Sequence, residues 1–567
     1  MSRPADEGWK RATGLIVALA FLLQVGLAGW GPLFNETDGQ YGGAARVMAE
    51  GGDWLIPENN GTPRLVKPPL LYWLMAGSMS LFGVNEFAAR LPGALATASL
   101  ALLAALIARE AAGWQRAALA AAIVTTMLGS FTLCRIVMPE PLFSAFIAAS
   151  LWALLCAAKP DPKKRLAVVL FWAFAGLAAF VKGPHGVLYP LVIAALAVPI
   201  LPGIRFRDLF FWPGPAIALA INLPWYFLIE SRFPGYLANL VFSEHLGHVV
   251  GSDSPATSYT NVPRWLFLLL HLAWFFPWSV MVICSVPSKW HSMANPSKWS
   301  PSVRLCAIWL AVIGLSVLLS GQRQDYYAMS LWVSAAVLGA AVLDGARWKA
   351  GLATAALILV AALGTCLFAP HLPGAGATVE TAKRATASLT VSGFGRDIWN
   401  QLTGIALWSL LPSILALLSG IIFPRLVLAA LILAGSIIAV GATAGTAAVS
   451  SLFSLEPVAG QLICEADEVI FEGDIDTASS LLVYTKLPVR LVGPDPNSDF
   501  VTRTTGRGRT NYLDRQEAIQ RLAESPRVIL IAESSRLDFW ESLSPVPLRI
   551  VAHCGTLVLL AGCPATD

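Results

Sequence analysis

The sequence predicts a polytopic α-helical membrane protein with a small α/β domain at its C-terminal end. Hydrophobic residues make up 56% of the 567 residues and charged residues only 13%, whereas soluble chains average about 45–50% and about 25%. This composition excludes a soluble enzyme, and the net charge of +4 is too small to indicate a nucleic-acid partner. About thirteen apolar runs approach the roughly 20 residues that a membrane-spanning helix needs. They begin near residues 12, 88, 116, 140, 165, 184, 208, 264, 303, 326, 349, 403 and 424.

The first apolar run, residues 13–30, predicts an anchored helix. It precedes the polar residues Asn35-Glu36-Thr37-Asp38 and lacks the small-residue cleavage site of a signal peptide. If the N-terminus is cytoplasmic, alternate loops should be rich in Lys and Arg. The basic residues of those loops are Arg109, Arg116, Lys159, Lys163, Lys164, Arg165, Arg205, Arg207, Lys289, Lys298, Arg304, Arg347, Lys349 and Arg425. An odd number of spans then predicts an external C-terminal segment.

Three long segments are predicted to be external: residues 32–87, 230–263 and 370–402. The first of them, the first external loop, contains two short helical patterns. Residues 39–50 follow Asp38, which is a suitable N-cap. Residues 68–82 are apolar but, at about 15 residues, too short to cross a bilayer. We expect amphipathic or interfacial helices in this loop.

The composition changes near residue 455. We therefore predict a transmembrane domain (residues 1–450) and an external, periplasmic α/β domain (residues 451–567). Helical patterns in the second domain cover residues 477–486 and 514–525. Strand-like runs cover residues 468–472, 488–492, 527–532 and 548–560, the last interrupted at residues 553–555. Three cysteines of this domain allow at most one disulfide, in a pairing that their spacing leaves open: Cys464, Cys554 and Cys563.

Ionisable side chains concentrate in the loops predicted to be external, where cations at a membrane face would bind a phosphate. A carboxylate among them could accept a proton from an attacking group. The sequence contains no Walker A, GxGxxG or HExxH motif, so ATP-driven transport has no support. We therefore expect a transferase whose donor arrives within the membrane, such as a sugar on a polyprenyl phosphate. The candidates are Glu36, Asp38, Tyr41, Arg46, Arg64, Lys67, Arg90, Arg135, Glu140, Lys182, His185, Glu244, His245, His248, Arg323, Asp325, Tyr326 and Tyr327.

Several motifs within residues 10–345 carry a family resemblance. They include Asn35-Glu36-Thr37-Asp38-Gly39-Gln40-Tyr41, Lys67-Pro68-Pro69-Leu70-Leu71-Tyr72-Trp73, Met138-Pro139-Glu140, Val181-Lys182-Gly183-Pro184, Glu244-His245-Leu246-Gly247 and Gln322-Arg323-Gln324-Asp325-Tyr326-Tyr327. The chain resembles the C-type glycosyltransferase superfamily, in the branch of the lipid A aminoarabinose transferases and the protein O-mannosyltransferases. The predicted helices and external C-terminal domain are similar to the aminoarabinose transferase plan.

The chain departs from that family at three positions. The family usually carries an Asp-Glu pair just before the loop tyrosine, and alignment on Tyr41 puts Thr37 and Asp38 there, with Glu36 one residue earlier. The second acidic position, commonly Asp, is Glu140. The residue before Lys-Pro-Pro, often an acid in aminoarabinose transferases, is Val66. These departures weaken any prediction of the same acceptor or the same use of a metal.

The resemblance implies an inner-membrane enzyme that moves a sugar from a polyprenyl (undecaprenyl) phosphate to a cell-envelope acceptor on the external face, with inversion at the anomeric carbon. The acceptor would be a glycolipid, lipopolysaccharide (lipid A) or a protein. Asp38 is the expected principal base, and Glu36 and Glu140 are the other catalytic candidates. The residues expected to bind the donor phosphate and lipid are Lys67, Arg323, Tyr326, Tyr327, Lys182 and Tyr41. Glu244 and His245 are candidates for binding the acceptor or a divalent metal ion, which is the one cofactor left open.

Each candidate also has a structural interpretation. Asp38 could be only an N-cap, and Glu140 could be only the partner of Arg135. Lys67 could be an interfacial lysine, and Lys182 could mark a helix end. The one-turn spacing of His245 and His248 permits a metal site, although solvated loop histidines are commoner, and the tyrosine pair Tyr326-Tyr327 is also ordinary material of an interfacial belt.

Two other classes of protein compete with this interpretation. A secondary transporter or flippase of lipid-linked saccharides would also have many helices and buried charges. Transporters usually show inverted repeats and charges at mid-span, whereas this sequence has no internal repeat and carries its charges in loops. An O-antigen ligase or polymerase would share the donor chemistry but usually has its large loop later in the chain.

Overall fold

The computed structural model describes residues 4–242, 262–321, 323–343, 348–368, 396–450, 453–462, 466–495, 500–554 and 556–563. Residues singled out from the sequence that lie outside these ranges include Glu244, His245, His248, Gln322, Arg347 and Cys464. Most of the predicted external segment 370–402 also lies outside them.

The N-terminal part of the chain is helical, as predicted. The helices are Pro4–Gly26, Thr37–Ala49, Leu70–Phe82, Glu86–Ala112, Trp114–Thr126, Gly129–Thr132, Glu140–Ala157, Lys164–Lys182, His185–Ala197, Pro213–Arg232, Tyr236–Asn239, Arg264–Trp274, Trp278–Met293, Pro301–Leu319, Trp332–Leu343, Lys349–Phe368, Arg396–Ile422 and Val427–Ala448. A 3₁₀ segment, Asp325–Leu331, leads into Trp332–Leu343. Local signals set several ends: the Asn85 side chain accepts the Ala88 N–H at 2.9 Å and begins the helix Glu86–Ala112, and Gly113 (φ 83°) ends it.

Within the described residues, nine helices are long and apolar enough to cross a membrane. The count rises to ten if the bent pair Arg264–Trp274 and Trp278–His291, which meet at 96°, forms one span. Every predicted apolar run lies on a helix, but the runs near residues 116, 184 and 208 fall on Trp114–Thr126, His185–Ala197 and Pro213–Arg232, which fail the same criterion. The chain therefore has the helices of a polytopic membrane protein, with nine or ten clear spans against the predicted count of about thirteen.

Residues 32–87, named the first external loop after their predicted orientation, fold into two helices with a small hairpin between them. The first-loop helix is Thr37–Ala49, and it packs on the second loop helix, Leu70–Phe82. Strands β1 (Glu58–Asn59) and β2 (Thr62–Pro63) pair antiparallel between them. The apolar helix Leu70–Phe82 is too short to span a bilayer, in agreement with the sequence prediction.

The C-terminal part of the chain forms a six-stranded mixed sheet. Its strands are β3 (Glu468–Glu472), β4 (Val489–Val492), β5 (Tyr512–Leu513), β6 (Val528–Glu533), β7 (Leu548–Cys554) and β8 (Leu557–Gly562). The order across the sheet is β5-β4-β3-β6-β8-β7, parallel from β5 to β6 and antiparallel from β6 to β7. The helices around it are Glu456–Leu462, Ile475–Ala478, Leu481–Tyr484, Phe500–Thr505, Arg515–Glu524 and Leu537–Leu543.

Both faces of this sheet are covered, because β3 and β6 have continuous buried apolar centres and a separate apolar cluster packs on each side. The predicted strands and the helix starting after Asp514 agree with the structure, while the helical pattern 477–486 is two short helices. Cys554 and Cys563 are free thiols, so no disulfide joins them in the described part of the domain.

The sheet domain is docked on the first external loop. A Cβ on Gly39 would lie 2.3 Å from the carbonyl carbon of Ser479, and one on Gly43 would lie 2.8 Å from the Leu482 Cβ. Glycine at these helical positions therefore permits a contact that no side chain could share. The Tyr484 hydroxyl accepts the Leu33 N–H at 2.6 Å and donates to Glu86 Oε1 at 2.8 Å. These contacts fix the domain to the start of the membrane part.

Candidate active site

Two antiparallel helices bring a lysine and a glutamate together at one end of the bundle. Glu140 is the first residue of Glu140–Ala157 and Lys182 is the last residue of Lys164–Lys182, and the two helices pack along each other. Lys182 Nζ lies 2.8 Å from Glu140 Oε1, and the Glu140 side chain is only 5% exposed. A carboxylate at a helix N-terminus and an ammonium at a helix C-terminus both interact favourably with the helix dipole. The sequence alternative that paired Glu140 with Arg135 is wrong, because Glu140 pairs with Lys182.

More candidates gather around this ion pair. Lys182 Nζ lies 4.6 Å from the centroid of the Tyr327 ring. His185 is within electrostatic range of both Lys182 and Lys67. We call Lys67, Glu140, Lys182, His185 and Tyr327 the Lys182 cluster. In the part of the chain that the structure describes, Glu140 Oε2 is buried and has no hydrogen-bond partner, so this carboxylate retains an acceptor for a further group.

Arg323 lies in a different environment from the one predicted. Its guanidinium donates to the carbonyl oxygens of Val262 (3.1 Å), Leu318 (3.1 Å) and Ser320 (2.6 Å). The residue is 5% exposed. These bonds tie the end of Pro301–Leu319 to the segment before Arg264–Trp274. Binding of the donor phosphate by Arg323 stays a prediction, and the structure gives the side chain a second use. Tyr326 packs edge-on against Tyr327, with ring centroids 5.1 Å apart.

Asp38 is fully buried and joins two segments. Its Oδ2 accepts the Phe34 N–H at 3.0 Å, and its Oδ1 accepts the Val137 N–H at 2.6 Å. Arg90 Nη2 lies 3.7 Å from Oδ2. Burial raises the pKa of Asp38, and the nearby Arg90 and the two N–H groups oppose that rise. The N-cap interpretation of Asp38 is wrong, because the residue lies in the first turn of the helix and Glu36 occupies the N-cap position.

Two arginines support the start of the first external loop. Arg90 donates to the carbonyl oxygens of Arg135 (2.9 Å) and Gly31 (2.7 Å). Arg135 donates to the carbonyl oxygens of Leu27 and Trp30. The carbonyls of Leu27, Trp30 and Gly31 lie in the segment that follows the first helix, Pro4–Gly26. Both arginines therefore hold the backbone that leads to Glu36 and Asp38.

Glu36 lies where the first-loop helix meets the sheet domain. Its backbone has φ 64° and ψ −116°, and its N–H donates to the Asp476 carbonyl at 2.9 Å. Burial raises the pKa of Glu36 to about 7, and the negative charges of Asp476 and Asp474 add to the rise. Burial also raises the pKa of Asp476. Glu36 can therefore exchange a proton near neutral pH.

Polar residues of the first external loop surround this acid group. Gln40 Nε2 donates to Asp476 Oδ1, and Gln40 Oε1 accepts from Arg64 Nη1 at 2.5 Å. We call Glu36, Gln40, Arg64, Asp474 and Asp476 the Glu36 cluster. Sequence analysis missed Asp474 and Asp476. Their position just after strand β3 was the available signal, because the carboxyl ends of parallel strands commonly carry binding residues.

Tyr41 lies next to this cluster but inside the core. It is 4% exposed, its ring lies 4.9 Å from the ring of Tyr72, and the Arg64 guanidinium carbon lies 5.4 Å from its centroid. Lipid binding by Tyr41 stays a prediction. Among the described residues, no group of three or more His, Cys, Asp and Glu side chains could hold a metal ion. The metal and acceptor candidates Glu244 and His245 lie outside those residues and also stay predictions.

Asp38 links the two chain segments that carry the clusters, because it is two residues from Glu36 and accepts the N–H of Val137, three residues before Glu140. On one side are two lysines with a buried carboxylate, an arrangement that can neutralise a phosphate. On the other side is a carboxyl group whose pKa of about 7 suits a general base. The pair of clusters can therefore support attack on a phosphate-linked carbon.

Several known proteins are similar to this chain in sequence. Residues 66–227 match the family model described as dolichyl-phosphate-mannose-protein mannosyltransferase. The chain is 28% identical over 348 residues to the undecaprenyl phosphate-alpha-4-amino-4-deoxy-L-arabinose arabinosyl transferase of Pseudomonas paraeruginosa, covering 60% of this chain and 61% of that protein. The protein of the same name in Pseudomonas aeruginosa (strain LESB58) is 29% identical over 342 residues, covering 59% of this chain and 60% of the relative. The match thus spans about three-fifths of these relatives' length.

The fold is also that of a solved structure. ArnT from Cupriavidus metallidurans bound to undecaprenyl phosphate superposes with a TM-score of 0.80 at 19% identity, over 97% of this chain and 98% of that one. The similarity therefore extends beyond the membrane part to the sheet domain. Together, the sequence matches and the shared fold confirm the resemblance that the loop motifs predict.

Proposed function

Because the chain resembles the aminoarabinose transferase-like branch of the C-type glycosyltransferases in sequence and fold, we propose that it transfers a sugar from undecaprenyl phosphate to a cell-envelope acceptor. The proposed acceptor class is a glycolipid, with lipopolysaccharide (lipid A) first, since the loop motifs resemble those of the lipid A aminoarabinose transferases. The matched relatives are arabinosyl transferases named for an undecaprenyl phosphate donor. The relatives' donor, undecaprenyl phosphate-α-4-amino-4-deoxy-L-arabinose, is the first one to test.

The observation that carries this proposal is the Lys182 cluster. Lys182 and Lys67 share His185 as an electrostatic neighbour, and Lys182 is held by the buried Glu140 at 2.8 Å. Lys182 ends one apolar helix, and Lys67 lies three residues before another. Two cations in these positions suit the phosphate of a lipid whose tail stays in the membrane. The ring of Tyr327, 4.6 Å from Lys182 Nζ, offers an apolar wall beside the phosphate.

The reaction is a single displacement. An acceptor hydroxyl oxygen attacks the anomeric carbon, a new carbon–oxygen bond forms, and the bond to the phosphate oxygen breaks with inversion. The hydroxyl proton passes to Glu36, and undecaprenyl phosphate leaves with one more negative charge, which Lys67 and Lys182 stabilise. Asp38 positions the two segments, because both of its oxygens already accept backbone N–H groups. The proposed base is therefore Glu36, whereas the sequence led us to expect Asp38 as the principal base. Glu140 orients Lys182.

The same proposal fixes the arrangement in the cell envelope. The protein is a multi-pass inner-membrane protein with a cytoplasmic N-terminus, and residues 451–567 form a periplasmic domain. Lys67, Glu140 and Lys182 then lie at the external membrane face. A divalent metal ion is proposed only for Glu244 and His245.

The test is a transfer assay with the full chain in lipid nanodiscs, using the undecaprenyl-linked aminoarabinose donor and lipid A. Lys67→Met and Lys182→Met keep apolar stems and remove one charge each. Each should lower the rate about 10- to 100-fold, the value of a lost charge-assisted contact. The matched control is Lys164→Met, at the opposite end of the Lys182 helix and paired with Asp208 at 2.9 Å. Wild-type rates in both test variants would refute the phosphate site. In sealed proteoliposomes, movement of lipid-linked sugar across the bilayer without transfer would favour a flippase.

The orientation has its own test. Cys563 is an exposed free thiol of the sheet domain. A maleimide that cannot cross membranes should label it from outside intact spheroplasts, and Cys563→Ser should remove that label. Labelling only after lysis would invert the proposed topology.

A further inference from the structure

The sheet domain has a crevice at the point where its topology reverses. From β3 the chain turns to β4 and β5 on one side, and it later returns to β6 on the other side of β3. The carboxyl ends of β3 and β6 therefore diverge from each other at a topological switch point. In open α/β sheets, ligands bind in the crevice outside the carboxyl ends of the strands at this point. The sheet topology thus predicts a binding site among the residues that follow β3 and β6.

A cavity of about 390 Å³ opens at this switch point, within the usual range for a binding pocket. Its floor is apolar and consists of Phe471, Val492, Ile531 and Leu557. Its rim is charged and consists of Glu472, Asp474, Arg515, Glu533 and Arg536. The floor residues lie in the C-terminal halves of β3, β4 and β6 and at the start of β8, so the sheet itself holds the base of the cavity in place.

Part of the rim is held in place by contacts within the domain. Arg536 Nη2 lies 2.7 Å from Glu472 Oε1, and Glu472 Oε2 accepts the Trp540 indole N–H at 2.8 Å. The Arg536 guanidinium carbon lies 4.2 Å from the centroid of the Phe539 ring. Within the described residues, Arg536 Nε is buried without a hydrogen-bond partner. The rim is therefore pre-organised and keeps an unused donor.

The charges of the rim argue against a nucleotide or another phosphate. In dinucleotide-binding sheets, the first turn after the switch-point strand offers free N–H groups to a phosphate. Here that turn carries Asp474, whose own carboxylate accepts the Thr477 N–H at 2.9 Å, and the helix that follows, Ile475–Ala478, has only four residues. Three rim carboxylates would repel a phosphate. The same carboxylates would accept hydrogen bonds from the hydroxyl groups of a ligand. The two guanidinium groups of the rim would donate hydrogen bonds to such hydroxyl groups.

We propose that this cavity binds a non-phosphorylated sugar residue of the acceptor glycan. A sugar ring has an apolar face for the floor and hydroxyl groups for the rim. The assignment of this sugar to the acceptor rests on the proposed function. The position supports it, because Asp474 borders the cavity and is also an electrostatic neighbour of Glu36, the proposed base. An acceptor held in the cavity would thus reach the same edge of the domain that meets the first external loop.

The experiment is ligand titration by saturation-transfer NMR with the full chain in lipid nanodiscs and no donor present. The probe is lipopolysaccharide core oligosaccharide after deacylation and dephosphorylation, and pyrophosphate is the comparison probe. Glu533→Gln and Arg515→Ala should each weaken oligosaccharide binding at least tenfold. Glu524→Gln, an exposed change on the far end of the Arg515–Glu524 helix, should leave it unchanged. Pyrophosphate should not compete.

Three results would overturn the inference: no saturable oligosaccharide binding to the wild-type protein, equal binding in both rim variants, or displacement by pyrophosphate. The transfer assay separates this failure from failure of the proposed function. If transfer occurs and the rim variants keep the wild-type acceptor KM, the cavity assignment fails and the function stands. If rim-dependent binding occurs without transfer to any acceptor, the function fails and the cavity remains a saccharide site.

Discussion

Asp38 accepts the backbone N–H of Val137 at 2.6 Å, which fixes the first-loop helix to the segment that precedes Glu140. Asp38 has no exposed surface, and its second oxygen accepts the Phe34 N–H at 3.0 Å. An acid placed in this way determines where other groups lie. The distances between the two halves of the candidate site therefore depend on one buried carboxylate.

This relationship predicts different behaviour for the two first-loop acids. Glu36→Gln should lower the transfer rate by about 10²–10⁴, the usual value of a general base, and should abolish the acid limb of the pH–rate profile. Asp38→Asn puts an amide N–H₂ against a backbone N–H or Arg90, so it should lower the rate and the melting temperature but keep the acid limb. If the acid limb is lost only in Asp38→Asn, then Asp38 is the base, as the sequence led us to expect.

The acid limb itself should lie near pH 7. Glu36 has a pKa of about 7, so its basic form increases, and the rate rises, as the pH increases through that value. The same raised pKa makes the folded state favour the protonated acid. The contribution of Glu36 to stability is therefore full below its ordinary pKa of 4.5 and is lost as the pH rises through about 7.

Asp476→Asn removes a negative charge that helps to raise the pKa of Glu36, and should move the acid limb to lower pH. Since burial is the larger cause, the limb should not return to the ordinary value. Asp467→Asn, at the exposed pair with Arg527, is the control that should leave the limb in place. An unmoved limb in Asp476→Asn would remove Glu36 from the role of base.

The Lys182–Glu140 pair should show strong coupling. Either Lys182→Met or Glu140→Gln leaves one buried charge without its partner, which costs about 3–5 kcal/mol. The double change should cost less than the sum of the single ones. The control pair Lys159–Glu110, with 46% and 26% exposed side chains, should couple by about 0–1 kcal/mol. Unfolding measured in detergent for both cycles decides this, and additive losses at Lys182 and Glu140 would count against a pair that acts together.

The docking of the sheet domain should depend on Gly39. Gly39→Ala puts a Cβ 2.3 Å from the Ser479 carbonyl carbon, so the domain must move away. We expect faster tryptic release of the domain and reduced transfer. Gly77→Ala is the matched control, because its helical Cβ meets nothing within 4 Å and should stabilise the helix by about 0.5–1 kcal/mol. Unchanged proteolysis in Gly39→Ala would mean that this contact does not hold the domain.

Local patterns were sufficient to predict many of the elements. The strands β3, β4 and β6 agree with the predicted runs to within about one residue. Their short length and their content of Val and Ile favour a strand over a buried helix. The apolar runs near residues 116 and 208 were less informative, since Trp114–Thr126 is too short for a clear span and Pro213–Arg232 carries a glutamate and an arginine at its end. Hydrophobicity finds a helix in both cases but does not say whether it crosses the bilayer.

The site depends on contacts that no local pattern contains. Glu140 and Lys182 were both predicted as candidates, but their pairing follows from the packing of two helices, and Arg135 was the nearer partner in sequence. Asp38 has the spacing of an N-cap, while its actual partner Val137 is 99 residues away. Asp476 meets Gln40 across 436 residues. Such contacts are set by the tertiary fold, so the sequence could suggest which residues matter but not which ones meet.

The glycine-lined contact between Gly39 and Ser479 also limits how domains can be exchanged between relatives. A chimera that takes only the sheet domain from another protein would place a foreign surface against the backbone around Gly39 and Gly43. A Cβ at either position would lie only 2.3–2.8 Å from the sheet domain, so the contact leaves no room for mismatch. The transferable unit is therefore discontinuous in the chain. Residues 32–87 and the sheet domain have to be transplanted together, even though residues 88–450 separate them in the chain.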